Sequence, residues 1–341
     1  MGKTISLEKI ARMAGVSTAT VSRALNGLSG VSEAKRKTIE AIVCKSGETP
    51  RRRARSAAAQ GVLPRANGTI CLLQTGDNFL STAELYEQQL RAVVRTAARH
   101  GFDVVVAFGN EPALLPPCIK KGRVAGVLVY GEKISEAVAE MLKGVPTVWI
   151  ASHPKLPLNM VMPGNEDAGQ LAARYLIERG HEYLGAFYPY EHHVMDVRLH
   201  AFTAYATILG KKTVRYTGRL VPKDSLKPHQ WCEAILKPLV DQWLASSPRP
   251  TGLFCPDDAI TAYLYPILNK CGVKIGKDVT IVSFGNEFTY LAGLDPRPAS
   301  IDIGTDMMGA QAFEMLCRVI NNPEAEGRGV RLNIQPVLAE P

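Results

Sequence analysis

The sequence predicts a small all-α helix-turn-helix head joined to an α/β body of two doubly wound parallel-sheet subdomains. Three observations lead to this prediction. Two short amphipathic segments flank Gly15 near the start of the chain. The positive charge is concentrated in the first fifth of the chain. From Asn67 onward, short apolar strands alternate with amphipathic helices, which is the pattern of parallel sheets with crossover helices.

The stretch from Ile10 to Asn26 is the most informative part of the head. Apolar residues recur every three or four positions on both sides of Gly15, as they do in two amphipathic helices. Gly15 permits a tight turn, and the Ser17 hydroxyl can accept a free amide of the second helix. Packing Val21 inward leaves four residues facing out near the start of that helix: Thr18, Ala19, Ser22 and Arg23. This is a helix-turn-helix, whose second helix enters the DNA major groove; the alternative is an ordinary helical hairpin.

A third helix and a basic segment complete the head. Ser32 can cap the third helix, whose apolar stripe consists of Ile39, Ile42 and Val43. Beyond Gly47 the composition changes to arginine and alanine. Pro50 suits a first helical turn and Gly61 a helix end, but the segment between them is too short for a stable helix in water. We expect it to be disordered when free and helical on DNA phosphates; the alternative is a solvated, protease-sensitive linker.

The charge distribution favours nucleic acid as a partner. Residues 1–66 carry 13 basic and four acidic residues, a net charge of +9, whereas the rest carries 27 basic and 28 acidic residues. A basic small domain on a neutral body is typical of DNA-binding proteins. A membrane would attract the same charge, but no apolar run approaches the roughly 18–20 residues that span a bilayer, and no signal-peptide pattern precedes Lys3. Seven scattered cysteines predict reduced core thiols in the cytoplasm and no metal or cofactor.

The body contains two series of strands and helices. The first series has strands at 69–73, 103–107, 125–130 and 147–150, with a long helix at 83–100. The second has a helix at 168–179 and strands at 183–187, 252–255 and 279–284. Sites in such sheets lie at the carboxyl ends of the strands. A small molecule is therefore expected in the cleft between the two subdomains.

Motifs along the whole chain match those of a known family. Residues 10–27 match the pattern Ile-Ala-x-x-Ala-Gly-Val-Ser-x-x-Thr-Val-Ser-Arg-x-Leu-Asn-Gly, followed by Val31-Ser32 and Arg36. The matches in the body are Gly180-His181, Arg198 with Phe202, Asp257, the run 282–286, and Met308-Gly309 with Ala312. On these motifs the chain resembles the lactose/galactose-repressor (LacI/GalR) family over essentially its full length.

The resemblance implies a particular domain organisation and function. A DNA-binding domain would occupy residues 1–47, a hinge segment 48–66, and a periplasmic-binding-protein-like effector-binding and dimerisation domain 67–341. Its N-subdomain would comprise 67–164 and 294–323, and its C-subdomain 165–290 and 324–341. The resemblance further implies a cytoplasmic homodimer, a repressor that binds double-stranded operator DNA under the control of a sugar-like effector.

The resemblance also implies roles for individual residues. Thr18, Ala19 and Arg23 would face base edges, with Arg23 bidentate to guanine. The expected DNA-backbone contacts are Ser6, Thr20, Ser22 and Asn26 in the head and Arg51, Arg52, Arg53 and Arg55 in the hinge. The expected effector contacts are Phe79, Arg198, Asp257, Phe284 and Asn286. The alternatives are that Thr20 and Ser22 only solvate their helix, that Arg198 and Asp257 form an interdomain salt bridge, and that both phenylalanines are plain core.

The chain also departs from the family pattern in the hinge and the pocket. Ala57 stands where the family inserts a leucine into the minor groove, and a methyl group cannot unstack a base step as leucine does. Glu48 and Arg51 replace the usual Tyr and Asn around the hinge proline. Pro256 replaces the Asn before the effector-binding Asp, and Ser283, Gly285 and Asn286 replace a glycine and two acids. The identity of the effector is therefore not implied by the resemblance.

The sequence argues against two other classes of function, an enzyme and a periplasmic-type sugar-binding protein. The chain has no Gly-x-Gly-x-x-Gly after its first body strand, no phosphate loop and no Gly-x-Ser-x-Gly, so no catalytic residue is predicted. The acidic pair Asp257-Asp258 is interpreted as a ligand contact followed by a helix-start residue. A periplasmic-type sugar-binding protein would share the body but would not carry the basic head.

Overall fold

The fold is taken from a computed structural model, in which the chain forms two compact units, Met1–Val62 and Leu63–Pro341. The structure describes residues 4–25, 31–46, 49–51, 68–75, 83–131, 134–150, 159–189, 193–218, 232–322 and 329–341. The expected effector residue Phe79, the expected DNA contact Asn26 and the hinge residues Arg52, Arg53, Arg55 and Ala57 lie outside these ranges.

The described strands and helices are numbered in chain order. The strands are β1 (Thr4–Ser6), β2 (Thr49–Arg51), β3 (Gly68–Gln74), β4 (Phe102–Phe108), β5 (Gly126–Tyr130), β6 (Thr147–Ile150), β7 (Met160–Pro163), β8 (Tyr183–Tyr188), β9 (Lys212–Thr217), β10 (Gly252–Phe254), β11 (Thr280–Gly285), β12 (Ala299–Asp302), β13 (Arg331–Ile334) and β14 (Val337–Ala339). The helices are α1 (Leu7–Ala14), α2 (Thr18–Leu25), α3 (Glu33–Ser46), α4 (Ala83–Arg99), α5 (Pro117–Lys120), α6 (Glu136–Leu142), α7 (Asn165–Glu178), α8 (His193–Ile208), α9 (Lys237–Ala245), α10 (Asp258–Lys270), α11 (Phe288–Leu291) and α12 (Thr305–Asn321). None of these helices is both long and apolar enough to cross a bilayer.

The first unit contains the predicted helix-turn-helix. Gly15 has a φ of +63°, which a glycine adopts without strain, and it separates α1 from α2. The Ser17 hydroxyl accepts a hydrogen bond from the Thr20 amide at 3.1 Å, as an N-cap residue does. A small core holds the three helices together and consists of Ile10, Ala11, Val21, Ala24 and Ile39. The expectation of a three-helix head is therefore confirmed.

Pro50 lies in a strand of this structure and not at the start of a helix, while the expected helix on DNA phosphates stays a prediction. β2 pairs in parallel with β1, and Pro50 stands opposite Ile5. The fixed φ of proline is also compatible with an extended strand at a sheet edge, where its missing N–H is not needed. Pairing with the N-terminal strand therefore replaces a first helical turn at this position.

The second unit contains the two predicted sheets. The first sheet has the order β13-β7-β6-β5-β3-β4, and all its strands are parallel. The second has the order β14-β12-β11-β10-β8-β9, in which only β14 runs antiparallel to its neighbour. Helix α12 packs on α4 and on the first sheet, whereas α7 packs on α8 and on the second. The two doubly wound subdomains are confirmed.

The chain crosses between the sheets at places that differ from the expected boundaries. Residues 294–323 were assigned to the first subdomain, but β12 lies in the second sheet. Residues 324–341 were assigned to the second subdomain, but β13 pairs with β7 in the first sheet. The physical reason is that these short strands are placed by pairing with distant partners, which local sequence patterns do not encode. The crossings thus follow β7, β12 and β13.

Close packing of α7 on α8 depends on Gly169. A Cβ at this position would lie 2.1 Å from the carbonyl oxygen of Arg198 and 2.8 Å from the amide of Phe202. Any side chain would therefore push the two helices apart. This contact fixes the position of α8 on the second sheet. It thereby also fixes the position of the candidate effector residue Arg198, which lies on α8.

Candidate DNA-reading helix and effector cleft

The carboxyl ends of the two sheets face each other. In a parallel sheet, the helix that follows a strand begins at the carboxyl end of that strand. Helix α4 follows β3 in the first sheet, and α11 follows β11 in the second. The carboxylate of Glu84 in α4 accepts hydrogen bonds from Thr289 in α11, so the starts of the two helices meet. The space between these edges is the candidate effector cleft.

Arg198 organises the second-sheet wall of this cleft. Its Nε donates to Asn165 Oδ1 at 2.8 Å, and its Nη1 donates to the carbonyl oxygen of Pro256 at 2.8 Å. The guanidinium carbon lies 3.4 Å from the centroid of the Phe284 ring, a cation–π stack. Arg198 lies on helix α8 and not at the carboxyl end of a strand, where sites in such sheets are expected. The structure nevertheless brings together three predicted effector residues, Arg198, Phe284 and Asp257, because Asp257 directly follows Pro256.

Asp257 and Asp258 have different structural roles. Asp257 is the N-cap of α10, and its Oδ1 accepts the amides of Ala259 at 2.8 Å and Ile260 at 3.3 Å. Asp258 is fully buried; its Oδ2 accepts the Glu287 amide at 2.7 Å and its Oδ1 accepts the Ser300 hydroxyl at 2.8 Å. Burial raises the pKa of Asp258 to about 6, although hydrogen bonds to its carboxylate oppose the rise. Asp258 is therefore more than a helix-start residue.

Asn286 is tied to the second crossing between the sheets. Its Nδ2 donates to Asp302 Oδ2 at 3.0 Å, and its amide donates to the Ser300 hydroxyl at 3.0 Å. Asp302 ends β12, and its Oδ1 accepts the Gly304 amide just before α12 begins. Asn165, the partner of Arg198, is likewise the first residue of α7 after the first crossing. Two predicted effector residues, Asn286 and Arg198, are thus hydrogen-bonded to residues at the crossings.

The first-sheet wall contains polar residues that the sequence analysis missed. Three of its polar side-chain atoms are buried and have no hydrogen-bond partner within the described part of the chain: Gln74 Oε1, Thr75 Oγ1 and Tyr86 OH. The Tyr86 ring packs 5.3 Å from the Tyr130 ring and 6.1 Å from the Phe108 ring, measured between centroids. Leaving a buried polar group unpaired costs about 1–3 kcal/mol, so these atoms are suited to binding a ligand or water. The signal available in the sequence was Gln74-Thr75, a polar pair directly after an apolar strand.

The head places the expected DNA residues on α2 and β1. Thr18 is exposed at the start of α2, while the Thr20 hydroxyl lies 2.9 Å from the Ser17 hydroxyl. Ala19, Ser22 and Arg23 lie on α2, and Ser6 ends β1. Arg36 on α3 donates from Nη1 to the carbonyl oxygen of Ala24 at 2.9 Å. A cation at a helix C-terminus is stabilising, so Arg36 supports the end of α2.

The described residues include no group of three or more histidine, cysteine, aspartate or glutamate side chains placed to hold a metal ion. The described cysteines are free thiols. Burial raises the pKa of the Cys71 and Cys255 thiols to about 12, which suppresses the nucleophilic thiolate form. These thiols are therefore inert core groups at neutral pH.

Comparison with known proteins gives the same division into head and body. Residues 6–50 match the family of bacterial regulatory proteins, lacI family, and residues 173–338 match a periplasmic binding protein-like domain. In sequence, the chain is similar to the HTH-type transcriptional repressor PurR of Photobacterium profundum. The two are 25% identical over 344 residues, which cover 98% of this chain and 97% of the relative.

Two solved structures share the fold over nearly the whole chain. One is a transcriptional regulator CelR–cellobiose complex, with a TM-score of 0.64, 23% identity and 98% of each chain covered. The other is the lac repressor dimer bound to operator and the anti-inducer ONPF, with a TM-score of 0.62 and 18% identity, covering 99% of this chain and 98% of that chain.

A helix-turn-helix head on a two-sheet body of this type defines a class of DNA-binding transcription regulators. The chain combines a helix-turn-helix domain of the LacI family of bacterial regulatory proteins with a periplasmic-binding-protein-like domain. The similar proteins named above are transcriptional regulators.

The raised pKa of Asp258 predicts a pH dependence of stability. Between about pH 4 and pH 6 the folded chain binds one proton more than the unfolded chain, so stability should fall as pH rises through this window. Asp258→Asn removes the titrating carboxyl group while keeping an oxygen that can accept the Glu287 amide. From pH 4 to pH 7 the free energy of unfolding should fall by about 2 kcal/mol more in the unsubstituted protein than in the variant.

Urea unfolding followed by tryptophan fluorescence measures this difference. All three tryptophans lie in the body, so the signal reports that unit alone. Asp103→Asn, at an exposed position on β4, is the matched control and should leave the pH profile unchanged. Parallel pH profiles for Asp258→Asn and the unsubstituted protein would contradict the assignment.

Proposed function

We propose that this protein is a homodimeric repressor that binds an operator in the bacterial cytoplasm and is controlled by a sugar-like effector. The observation that carries the proposal is the Arg198–Phe284 stack beside Asp257, in a chain that also has a DNA-reading head. The regulated DNA of a bacterium lies in the cytoplasm, which supports that location. We further propose that the two subdomains close on the effector and that this motion changes how two copies pair.

The chemistry of the cleft supports a polyhydroxylated effector. Arg198 and Asp257 supply a donor group and an acceptor group on one wall, and Phe284 supplies an apolar face. The opposite wall supplies the buried polar atoms of Gln74, Thr75 and Tyr86. A hydroxyl group donates and accepts at once, so a sugar can satisfy both kinds of partner. The CelR structure, which has the same fold, is a complex with cellobiose.

The effector assignment is tested by replacing the two polar residues of the second-sheet wall. Asp257→Asn keeps an oxygen that can cap α10 but removes the charge, and Arg198→Ala removes the guanidinium. Each variant should weaken the sugar response at least tenfold, a loss of about 1.4 kcal/mol. Operator affinity without sugar should stay within about twofold, because the head is untouched.

A thermal-shift panel of mono- and disaccharides and sugar phosphates finds the effector, and operator binding with and without it measures the response. Arg174→Ala, an exposed arginine on α7, is the matched control and should respond normally. Variants that fold, bind operator and still respond like the control would refute the effector site.

The head is proposed to read bases through Thr18, Ala19 and Arg23 and to contact phosphates through Ser6, Thr20, Ser22 and Asn26. The hinge arginines Arg51, Arg52, Arg53 and Arg55 are proposed to add phosphate contacts, so that affinity falls steeply with salt. Ala57 lacks the bulk to kink DNA by insertion. The hinge is therefore proposed to act mainly through charge.

Arg23→Ala tests base reading. Loss of a bidentate guanine contact should cost about 1–3 kcal/mol at the operator and much less on random DNA of equal length. Fluorescence anisotropy on both DNAs at one salt concentration gives the comparison. Lys37→Ala removes an exposed basic residue of α3 and, as the control, should affect both DNAs alike. Equal weakening by Arg23→Ala on both DNAs would make Arg23 a phosphate contact.

The first subdomain offers a surface for pairing two copies. Strand β4 is an edge of its sheet, and four large apolar side chains on β4 and its neighbours are exposed: Val94, Val106, Phe108 and Leu114. Exposed apolar groups beside an open edge strand favour association with another chain. A two-fold dimer would present two reading helices to a near-palindromic operator.

Analytical ultracentrifugation tests the dimer. The unsubstituted chain should sediment at twice its monomer mass, and Val106→Asp should lower the dimer fraction because a charge would be buried without a partner. Ile208→Asp, at an exposed apolar position of α8 in the other subdomain, should leave the mass unchanged. A monomeric unsubstituted chain at micromolar concentration, or a dimeric Val106→Asp variant, would count against this surface.

A further inference from the structure

One charged side chain joins the two subdomains across the cleft. Glu84 lies in the first turn of α4, on the first sheet, and Thr289 lies in α11, which follows the second sheet. Glu84 Oε2 accepts the Thr289 amide at 2.9 Å and the Thr289 hydroxyl at 2.7 Å. The bond therefore depends on the spacing between the subdomains and not on the fold of either one.

Glu84 also completes the start of α11. The N-cap residue of α11, Glu287, makes no side-chain capping bond to it, and the first amides of a helix need acceptors. Burial alone would raise the pKa of Glu84. Hydrogen bonds from the amide and hydroxyl of Thr289, from the Phe288 amide and from Gln88 outweigh burial and lower the pKa. Glu84 is thus ionised at neutral pH, and a negative charge at a helix N-terminus is stabilising.

The start of α11 is connected to the candidate effector contacts. The Glu287 amide donates to Asp258 Oδ2 at 2.7 Å, and Asp258 is the neighbour of Asp257. The Ser300 hydroxyl donates to Asp258 Oδ1 at 2.8 Å and accepts the Asn286 amide at 3.0 Å. A displacement of α11 would therefore disturb the buried hydrogen bonds of Asp258 and Ser300, which position Asp257 and Asn286.

We propose that Glu84 is a positioning residue that holds the subdomains at the spacing of this structure and couples effector occupancy to that spacing. The inference rests on the proposed function, in which Asp257 and Asn286 contact the effector. A bond that forms at one spacing and breaks at another shifts the equilibrium between the two. Because Glu84 acts through α11, its loss changes the response to the effector while the second-sheet contacts remain.

Amide hydrogen exchange of the full chain, without ligand, tests the physical link. Glu84→Gln keeps the size of the side chain and removes its charge, and Thr289→Val removes the hydroxyl. Glu87→Gln is the matched control, because Glu87 is exposed on the same helix and pairs with Arg91. Exchange over 286–292 should rise at least about fivefold in Glu84→Gln, the lower end of typical coupling strengths, and remain unchanged in the control.

The double variant Glu84→Gln/Thr289→Val separates this link from independent local effects. It should exchange little faster than Glu84→Gln alone, since both substitutions weaken the same contact. Equal exchange in Glu84→Gln and Glu87→Gln, or full additivity in the double variant, would overturn the proposal.

The effector response gives a second readout that a purely structural role would not move. For the sugar found by the thermal-shift panel, the concentration that half-releases the operator should shift about 5- to 150-fold in Glu84→Gln, and saturating sugar should still raise the melting temperature. If this concentration is the same in Glu84→Gln and in the unsubstituted protein, only the proposed coupling between effector occupancy and subdomain spacing is overturned. If no sugar or sugar phosphate binds the unsubstituted protein, the proposed effector class fails instead, and the ligand-free exchange experiment decides the role of Glu84.

Discussion

The second-sheet wall depends on the buried guanidinium of Arg198. A guanidinium presents its donors in a rigid plane and keeps its charge when buried. Arg198 uses that geometry to hold Asn165, the Pro256 carbonyl and the Phe284 ring, which come from three separate parts of the chain. Its own position requires α7 to approach α8 closely, which only a residue without a Cβ at position 169 permits. One close helix contact therefore sets the shape of the wall.

The crossings between the sheets connect this wall to motion of the subdomains. Arg198 binds the first residue after one crossing, and Asn286 binds Asp302 just before another. Gly304, the N-cap of α12, has a φ of +64°, a conformation in which glycine is unstrained. A change in the angle between the subdomains must alter the backbone at these points. The polar groups of the wall would move with it, which is the physical requirement for a ligand that senses subdomain geometry.

The sequence was most informative where local pattern and tertiary environment agree. Helix α2 and the buried strands β3 and β11 were predicted because their apolar spacing has one interpretation. Strands β7 and β9 were not, because β7 has only four residues and β9 alternates polar and apolar residues around charged Lys212 and Arg215. Only Gln335 and Pro336 separate β13 from β14, yet the two strands belong to different sheets. Such assignments follow from pairing with distant partners, which no local pattern records.

The candidate site was predictable on one wall only. Arg198, Asp257, Phe284 and Asn286 were selected through motifs, and the structure holds the first three in one network around Pro256. Tyr86 was missed because an aromatic residue at helical spacing is indistinguishable in sequence from ordinary core. Its buried hydroxyl becomes informative only when the structure shows which groups surround it.

Gly285 and Asn286 depart from the two acids of the family pattern. The backbone conformation at these positions and the nearby buried carboxylate of Asp258 explain both departures. Gly285 has a φ of +128° and Asn286 a φ of +53°, conformations suited to glycine and tolerated by asparagine. A Cβ at 285 would stand 3.1 Å from Asp258 Oδ2, so an acid there would place a second carboxylate against a buried one. The side-chain Nδ2 of Asn286 donates to Asp302 Oδ2, which a carboxylate at position 286 could not do. With Gly285 and Asn286 in place of the two acids of the family pattern, the wall proposed to bind the effector offers directed hydrogen bonds and less negative charge, which is consistent with the proposed neutral, hydroxyl-rich effector.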